Sequence, residues 1–267
     1  MRAKKSLGQH FLKSERALRT MVEAGKVTKE DTVLEIGPGR GVLTEKLLAV
    51  GCQVIAVEKD DGLFELLEQK FAKEIASSKL TLIHDDILNF KLKIENYKLI
   101  ANIPYNITGA ILKKFLGADC QPERIILLVQ KEVAERIIAR DKKESILSIS
   151  VKAYGTPRYV ETVKAGSFAP VPKVDSGIIV IENISKAFFQ DIAEAVDTPC
   201  LRVERGVFEM VRAGFKSKRK KLSSNLSTIF SKDEVKKVFK TLNLDENIRA
   251  EDVGTQTWQK LAQNLVV

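Results

Sequence analysis

"EIGPGRGVLT", Glu35 to Thr44, leaves an apolar run and enters a helical pattern through glycines at 37, 39 and 41. The run it leaves, "TVLEIG" (32–37), is brief and β-branched, whereas "VLTEKLLAV" after it has helical spacing. Strand, sharp glycine turn and helix in that order open a βαβ unit. The same alternation continues downstream. "QVIAVE" (53–58), "LTLIHDD" (80–86), "KLIANI" (98–103) and "RIILLVQ" (124–130) read as strands buried on both faces, with helical stretches such as "DDGLFELLEQKFAKEIA" and "TGAILKKFLG" between most of them. "KEVAERIIARD" predicts a further helix, and "RYVETVKAG" (158–166) and "GIIVIENI" (177–184) predict two late strands, antiparallel to each other at the sheet edge. The fold expected is α/β: a doubly wound, mostly parallel seven-stranded sheet.

After about Ser185 the strand signals stop. "KAFFQDIAEAV", "VFEMVRAGF", "KRKKLSSNLSTIF", "SKDEVKKVFKTLN" and "TQTWQKLAQNLV" all have helical patterns. A sheet domain over 1–184 followed by a small all-α domain over 185–267 is therefore expected.

Composition bounds the function. The 267 residues are 44% hydrophobic and 30% charged, enough to bury a sizeable core. No apolar run approaches the roughly 18–20 residues of a membrane span. "MRAKKSLGQHF" lacks the apolar stretch of a secretory signal, and Cys52, Cys120 and Cys200 have neither metal nor redox spacing. A cytoplasmic protein without a membrane partner is expected. Lys and Arg total 44 against 35 acidic residues, a net charge of +9. The excess is concentrated: "RAGFKSKRKK" holds Arg212, Lys216, Lys218, Arg219, Lys220 and Lys221 with no anion, and the first nineteen residues hold six more cations. Two such segments point to a nucleic-acid partner.

The glycine loop is G-x-G-x-G, and Val42 stands where the dinucleotide fingerprint wants glycine. No G-K-[S/T] is present, so a phosphate-cradling P-loop is excluded. Glu58 closes the second strand 21 residues after Gly37, suiting a ribose acceptor. "HDDI" offers Asp85 or Asp86 to an exocyclic adenine amine. Ribose and adenine acceptors without a pyrophosphate site fit S-adenosylmethionine, with Gly37 and Gly39 approaching it closely.

The fourth strand ends "NIPYNIT", at the sheet edge where such folds bind ligands. Asn102 supplies an amide oxygen, Pro104 a carbonyl and Tyr105 a flat face. This set matches methylation of an exocyclic amine such as adenine N6, whose lone pair is delocalised into the ring. Two acceptors on its hydrogens gain strength as positive charge develops on nitrogen, and an aromatic face can stack on the base. "SFAPVPKVDS" (167–176) places an exposed Phe168 as a second stacking face. His10 and His84 are the only histidines and H-x-E…P-C-x-x-C is missing, which excludes a zinc deaminase; no metal is expected.

"LGQHFL", "EIGPGRGVLT", "NIPYNIT", "LLVQKEVAERI", "FAPVPKVDS" and "MVRAGFKSKRKKLSSNL" together resemble the small-subunit (16S) ribosomal RNA adenine N6,N6-dimethyltransferase family, nearly end to end. The resemblance implies a Rossmann-like class I methyltransferase fold. It also implies a monomeric enzyme that dimethylates two adjacent adenosines near the 3′ end of 16S rRNA within a pre-30S particle. It adds His10 and Leu12 to the cofactor pocket, where many relatives have Asn in place of His10, and chooses Asp86 over Asp85. It places Asn102 at both cofactor and catalytic edges and makes Tyr105 and Phe168 the stacking aromatics. The macrolide-resistance 23S rRNA adenine methyltransferases share the glycine loop and "NIPY", but typically have Asn before the Ser of "PKVDS". A DNA adenine methyltransferase more usually carries a double proline where this chain has Ile103. A non-catalytic assembly factor is the alternative outside the enzymes, and the intact loop, Glu58 and "NIPY" argue against it.

Overall fold

The computed structural model describes residues 9–91 and 94–266. Arg2, Lys4 and Lys5 of the N-terminal basic segment, and Leu7 and Gly8 of "LGQHFL", lie outside the described residues. Five parallel strands, β2 (Thr32–Ile36), β3 (Gln53–Glu58), β4 (Leu80–His84), β5 (Tyr97–Asn102) and β6 (Arg124–Gln130), form most of a sheet ordered β4-β3-β2-β5-β6-β9-β7. The two late strands are β7 (Thr156–Val163) and β9 (Ser176–Glu182). β9 inserts antiparallel between β6 and β7, so the expected hairpin closes the sheet with β7 on the edge. Central residues such as Val33, Leu34, Leu99, Ile126 and Leu127 are fully buried, as strands covered on both faces require. The strand order reverses between β2 and β5, which opens a crevice beyond their carboxyl ends.

A two-residue strand, β1 (Phe11–Leu12), pairs antiparallel with β8 (Phe168–Ala169), so the N-terminal arm and the proline-rich loop meet. Helices α1 (Glu15–Ala24), α2 (Val42–Val50), α3 (Asp61–Lys70), α4 (Ala72–Ala76) and α5 (Thr108–Leu116) join the strands, and α6 (Lys131–Ile138) follows β6. None of the described helices is long and apolar enough to cross a membrane.

The described chain divides into two compact units. One runs to Glu135 and resumes over Thr156–Ile184; the other joins Arg136–Gly155 to the residues from Ser185 onward. Residues 136–155, which fall within the expected 1–184 domain, thus group with the helices. Contacts within that unit explain why. After α7 (Ile146–Lys152), the Tyr154 hydroxyl donates to Glu204 Oε1 at 2.6 Å and its ring lies 4.8 Å from Phe189. The Glu144 amide donates to the Glu251 carbonyl at 2.7 Å.

The rest of that unit is helical as expected: α8 (Ala187–Val196), α9 (Cys200–Gly214), α10 (Leu222–Leu226), α11 (Lys232–Thr241) and α12 (Thr255–Leu265), around a buried Trp258. One expectation changes. The run Lys216 to Lys221 is a turn between α9 and α10 and not part of a helix. Buried Asn225 sets that turn by donating from Nδ2 to the Gly214 carbonyl at 2.6 Å and the Ser217 carbonyl at 3.1 Å. It thereby satisfies an orphan carbonyl at the end of α9. Gly214 itself touches Trp258 so closely that a Cβ would lie 2.4 Å from Cη2. Arg212, Lys216, Lys218, Arg219, Lys220 and Lys221 are all exposed.

Candidate active site

The crevice at the sheet's carboxyl edge encloses a cavity of about 580 Å³, within the range of small-molecule sites. His10, Leu12, Gly37, Gly39, Glu58, Asp86, Asn102, Pro104 and Tyr105 all line it. Phe168 does not.

The glycine loop owes its shape to three left-handed residues, Gly37 (φ +63°), Gly39 (φ +62°) and Gly41 (φ +74°). Val42, where the dinucleotide fingerprint has its last glycine, simply begins α2. Glu58, 5% exposed, fastens this loop to the end of β3. Its carboxylate accepts from the amides of Gly39 at 3.0 Å, Lys59 at 2.9 Å and Asp60 at 2.9 Å. Burial raises its proton affinity while the three amides oppose that rise. A carboxylate has about four lone-pair sites, which leaves one for a ligand.

Glu35, buried beneath the loop, accepts from the Thr44 hydroxyl at 2.7 Å. Burial pushes its carboxyl up from 4.5 to about 8, with the nearby Glu58 charge adding to the rise. A folded value above the unfolded one gives stability that is complete below the unfolded pKa and lost as pH rises through the folded pKa. Glu35→Gln keeps the acceptor for Thr44 without the charge. Its melting temperature should therefore gain on wild type as pH rises from about 5 to about 9. Thermal unfolding across that range checks this, and a constant difference would contradict it.

At the next strand end, Asp86 Oδ2 pairs with Lys59 Nζ at 2.8 Å and Oδ1 accepts the Leu88 amide at 2.9 Å. The hydrogen bond from Lys59 holds its carboxyl below the usual range. Asp85 Oδ1 accepts the Asp86 amide at 2.6 Å. Sequence reasoning missed Lys59, because nothing in the spacing announces a cation reaching from β3 to the β4 loop.

The corner ending β5 is held from three directions. Asn102 Nδ2 donates to the His10 carbonyl at 3.2 Å. Only the NH₂ can serve a carbonyl, so Oδ1 remains the acceptor, and among the described residues no hydrogen bond engages it. The Pro104 carbonyl accepts the Ile107 amide at 3.2 Å in the 3₁₀ turn Tyr105–Ile107, with one lone pair left over. The Tyr105 hydroxyl bonds Ser176 Oγ at 2.8 Å, and burial raises its pKa. Its ring lies near-parallel to His10 at 6.0 Å between centroids, and His10 Nδ1 donates to the Pro170 carbonyl at 2.8 Å. Ser176 was overlooked although it closes the quoted "PKVDS". It is fully buried and fixes the Tyr105 ring.

The expectation of an exposed Phe168 is corrected. Its side chain is 1% exposed and packs in the sheet domain's core with Leu12, Leu18 and Ile178. Alternation along β8 is the cause: opposite Leu12, Phe168 points inward, and the next residue, Ala169, lines the cavity. Among the described residues, no group of three or more His, Cys, Asp or Glu side chains is placed to hold a metal ion.

Fold and site together define a Rossmann-like methyltransferase. Comparison with known proteins narrows that class. A family model described as ribosomal RNA adenine dimethylase matches residues 1–265. Ribosomal RNA small subunit methyltransferase A of Dehalococcoides mccartyi is 39% identical over 268 residues, covering 98% of this chain and 88% of that one. The protein of the same description from a Nostoc species is 37% identical over 283 residues, covering 100% and 99%. The chain belongs to the ribosomal RNA adenine dimethylase family. Among solved structures, a dimethyladenosine transferase from Plasmodium falciparum matches with a TM-score of 0.80 at 25% identity, over 94% of this chain and 96% of that one. The 23S rRNA methyltransferase ErmE shares the fold, with a TM-score of 0.75 at 24% identity over 96% and 99%.

Proposed function

We propose that this protein transfers methyl groups from S-adenosylmethionine to N6 of two adjacent adenosines near the 3′ end of 16S rRNA, in the cytoplasm, as a monomer acting on a pre-30S particle. The observation that carries the reading is Asn102 Oδ1, which no hydrogen bond engages among the described residues, on a residue that lines a cofactor-sized cavity together with Pro104. Full-length identity of 35–39% to small-subunit enzymes supports the substrate.

The donor set suits the cofactor. Glu58 takes a ribose hydroxyl on its remaining lone pair, Asp86 the adenine amine and Gly37 and Gly39 the methionine end, with His10 and Leu12 closing the pocket. S-adenosylmethionine supplies an already activated methyl on its sulfonium, so no protein nucleophile is needed. In the first transfer Asn102 Oδ1 and the Pro104 carbonyl accept from the two N6 hydrogens, and in the second one of them accepts from the hydrogen that remains. The interaction strengthens as nitrogen becomes tetrahedral and positive, and each transfer ends with that nitrogen releasing one proton to solvent. Tyr105 stacks on the flipped base, held at a fixed tilt by Ser176. Holding N6 in line with the methyl removes much of the orientational cost. Arg212, Lys216, Lys218, Arg219, Lys220 and Lys221 grip backbone phosphates, which position the RNA without reading its sequence.

The test is mass mapping of methylated adenosines after incubation with unmethylated 30S particles and, in parallel, 50S particles. Two adjacent dimethyladenosines in the 30S RNA and none in the 50S RNA are expected. Methylation confined to 50S would assign the chain to the other ribosomal substrate. Neutralising Lys218, Arg219, Lys220 and Lys221 should weaken 30S binding and flatten its salt dependence, so that the fold loss in affinity is larger at about 50 mM than at about 200 mM salt.

A further inference from the structure

Helix α5 continues the catalytic corner directly, and its Lys114 faces a different part of the site. The ammonium donates to three backbone carbonyls: Ile87 at 2.6 Å, Leu88 at 3.1 Å and Phe90 at 2.5 Å. An ammonium has three donors, so all of them are spent on one loop. That loop, 85–90, has no strand or helix of its own. Its amides fold back on Asp86: Leu88 N on Oδ1 at 2.9 Å, and Asn89 N and Phe90 N on the Asp86 carbonyl at 2.8 and 2.9 Å. Asp86 and the carbonyls after it therefore form one knot, and Lys114 ties it to α5. Partial burial of the ammonium favours its neutral form, which Asp86 and Asp85 oppose. A surface lysine placed for solubility would not be drawn inward onto three carbonyls. Asp86, Ile87 and Leu88 all line the cavity.

We propose that Lys114 is a positioning residue for the cofactor's adenine, holding the Asp86–Phe90 loop in the shape that presents Asp86 and Ile87 to the purine. This rests on the reading of Asp86 as the adenine contact. Lys114 reaches the cavity only through the Ile87 and Leu88 carbonyls and does not itself line it, so its effect falls on cofactor affinity and spares chemistry.

The experiment measures S-adenosylhomocysteine binding by calorimetry, and kcat and KM with 30S particles, for wild type, Lys114→Met, Lys114→Arg and Asp86→Ala. Loss of hydrogen bonds from a charged donor should raise Kd and cofactor KM about tenfold or more in Lys114→Met. At saturating cofactor its kcat should stay within about twofold and its RNA KM should not move, because TS contacts at Asn102 are intact. Lys114→Arg, which retains several donors, should recover most of the affinity. Unchanged binding in Lys114→Met overturns the proposal, as does a parallel loss of kcat and RNA affinity. If Lys114→Met fails to fold, Lys114→Gln, which is shorter and uncharged but still polar, decides through the same split between KM and kcat, and unchanged binding in it overturns the proposal. Binding unaffected in Asp86→Ala removes the adenine reading itself. Weakened binding there with normal binding in Lys114→Met removes only the role of Lys114.

Discussion

Asn102→Ala is expected to lower the single-turnover rate of methyl transfer by about 10²–10³, the usual cost of one preorganised transition-state contact. The amide oxygen sits at the end of β5 with its NH₂ committed to the His10 carbonyl 3.2 Å away, so its direction is fixed before the base arrives. Its attraction to N6 is modest while the amine is neutral and grows as the new N–C bond makes nitrogen cationic. The loss should therefore appear in the chemical step, with cofactor affinity changing less. Folding should lose only about 1 kcal/mol, the worth of one ordinary hydrogen bond. Single-turnover rates at saturating cofactor, alongside denaturant melts, separate the two effects. A rate near that of wild type would remove the amide oxygen from the mechanism.

The second large effect lies in stability. Phe168→Ala should destabilise the protein by about 3–5 kcal/mol, because it empties a core position. Such a loss is a large share of the roughly 5–15 kcal/mol that holds a typical domain folded. Phe168→Leu keeps most of the volume and should cost much less, with methyl transfer retained. A stacking residue would behave in the opposite way: both variants would fold well and both would lose base capture. Denaturant midpoints together with activity at low temperature distinguish the cases. A stable, inactive Phe168→Ala would restore the stacking role that "SFAPVPKVDS" first suggested.

The sheet was legible because parallel strands covered on both faces must be short, apolar and β-branched, and "TVLEI", "VIAV" and "RIILLV" are all of these. The glycine loop and Asn102–Tyr105 were legible for a similar reason: local geometry demands those residue types at those spacings. What escaped notice depends on residues distant in sequence. The β1–β8 pairing spans two residues per strand, too short for any periodicity, yet it decides that Phe168 is core and that Ala169 meets the cavity. Residues 136–155 join the helical unit through Tyr154 and Glu144, whose partners lie 50 and 107 positions away. The cationic run carries helix-compatible residues, but Asn225 gives the Gly214 carbonyl a partner and the chain turns there. Lys59 and Lys114, which hold the Asp86 loop from two sides, look in sequence like any solvated lysine.

The most direct measurement is the distance from the target adenosine's N6 to Asn102 Oδ1 and to the Pro104 carbonyl, in a structure of the protein with RNA and S-adenosylhomocysteine. Both should be about 2.7–3.2 Å, with N6 facing the sulfur along the line a methyl would travel. An N6 bound elsewhere, with both oxygens turned away from the base, would contradict the account.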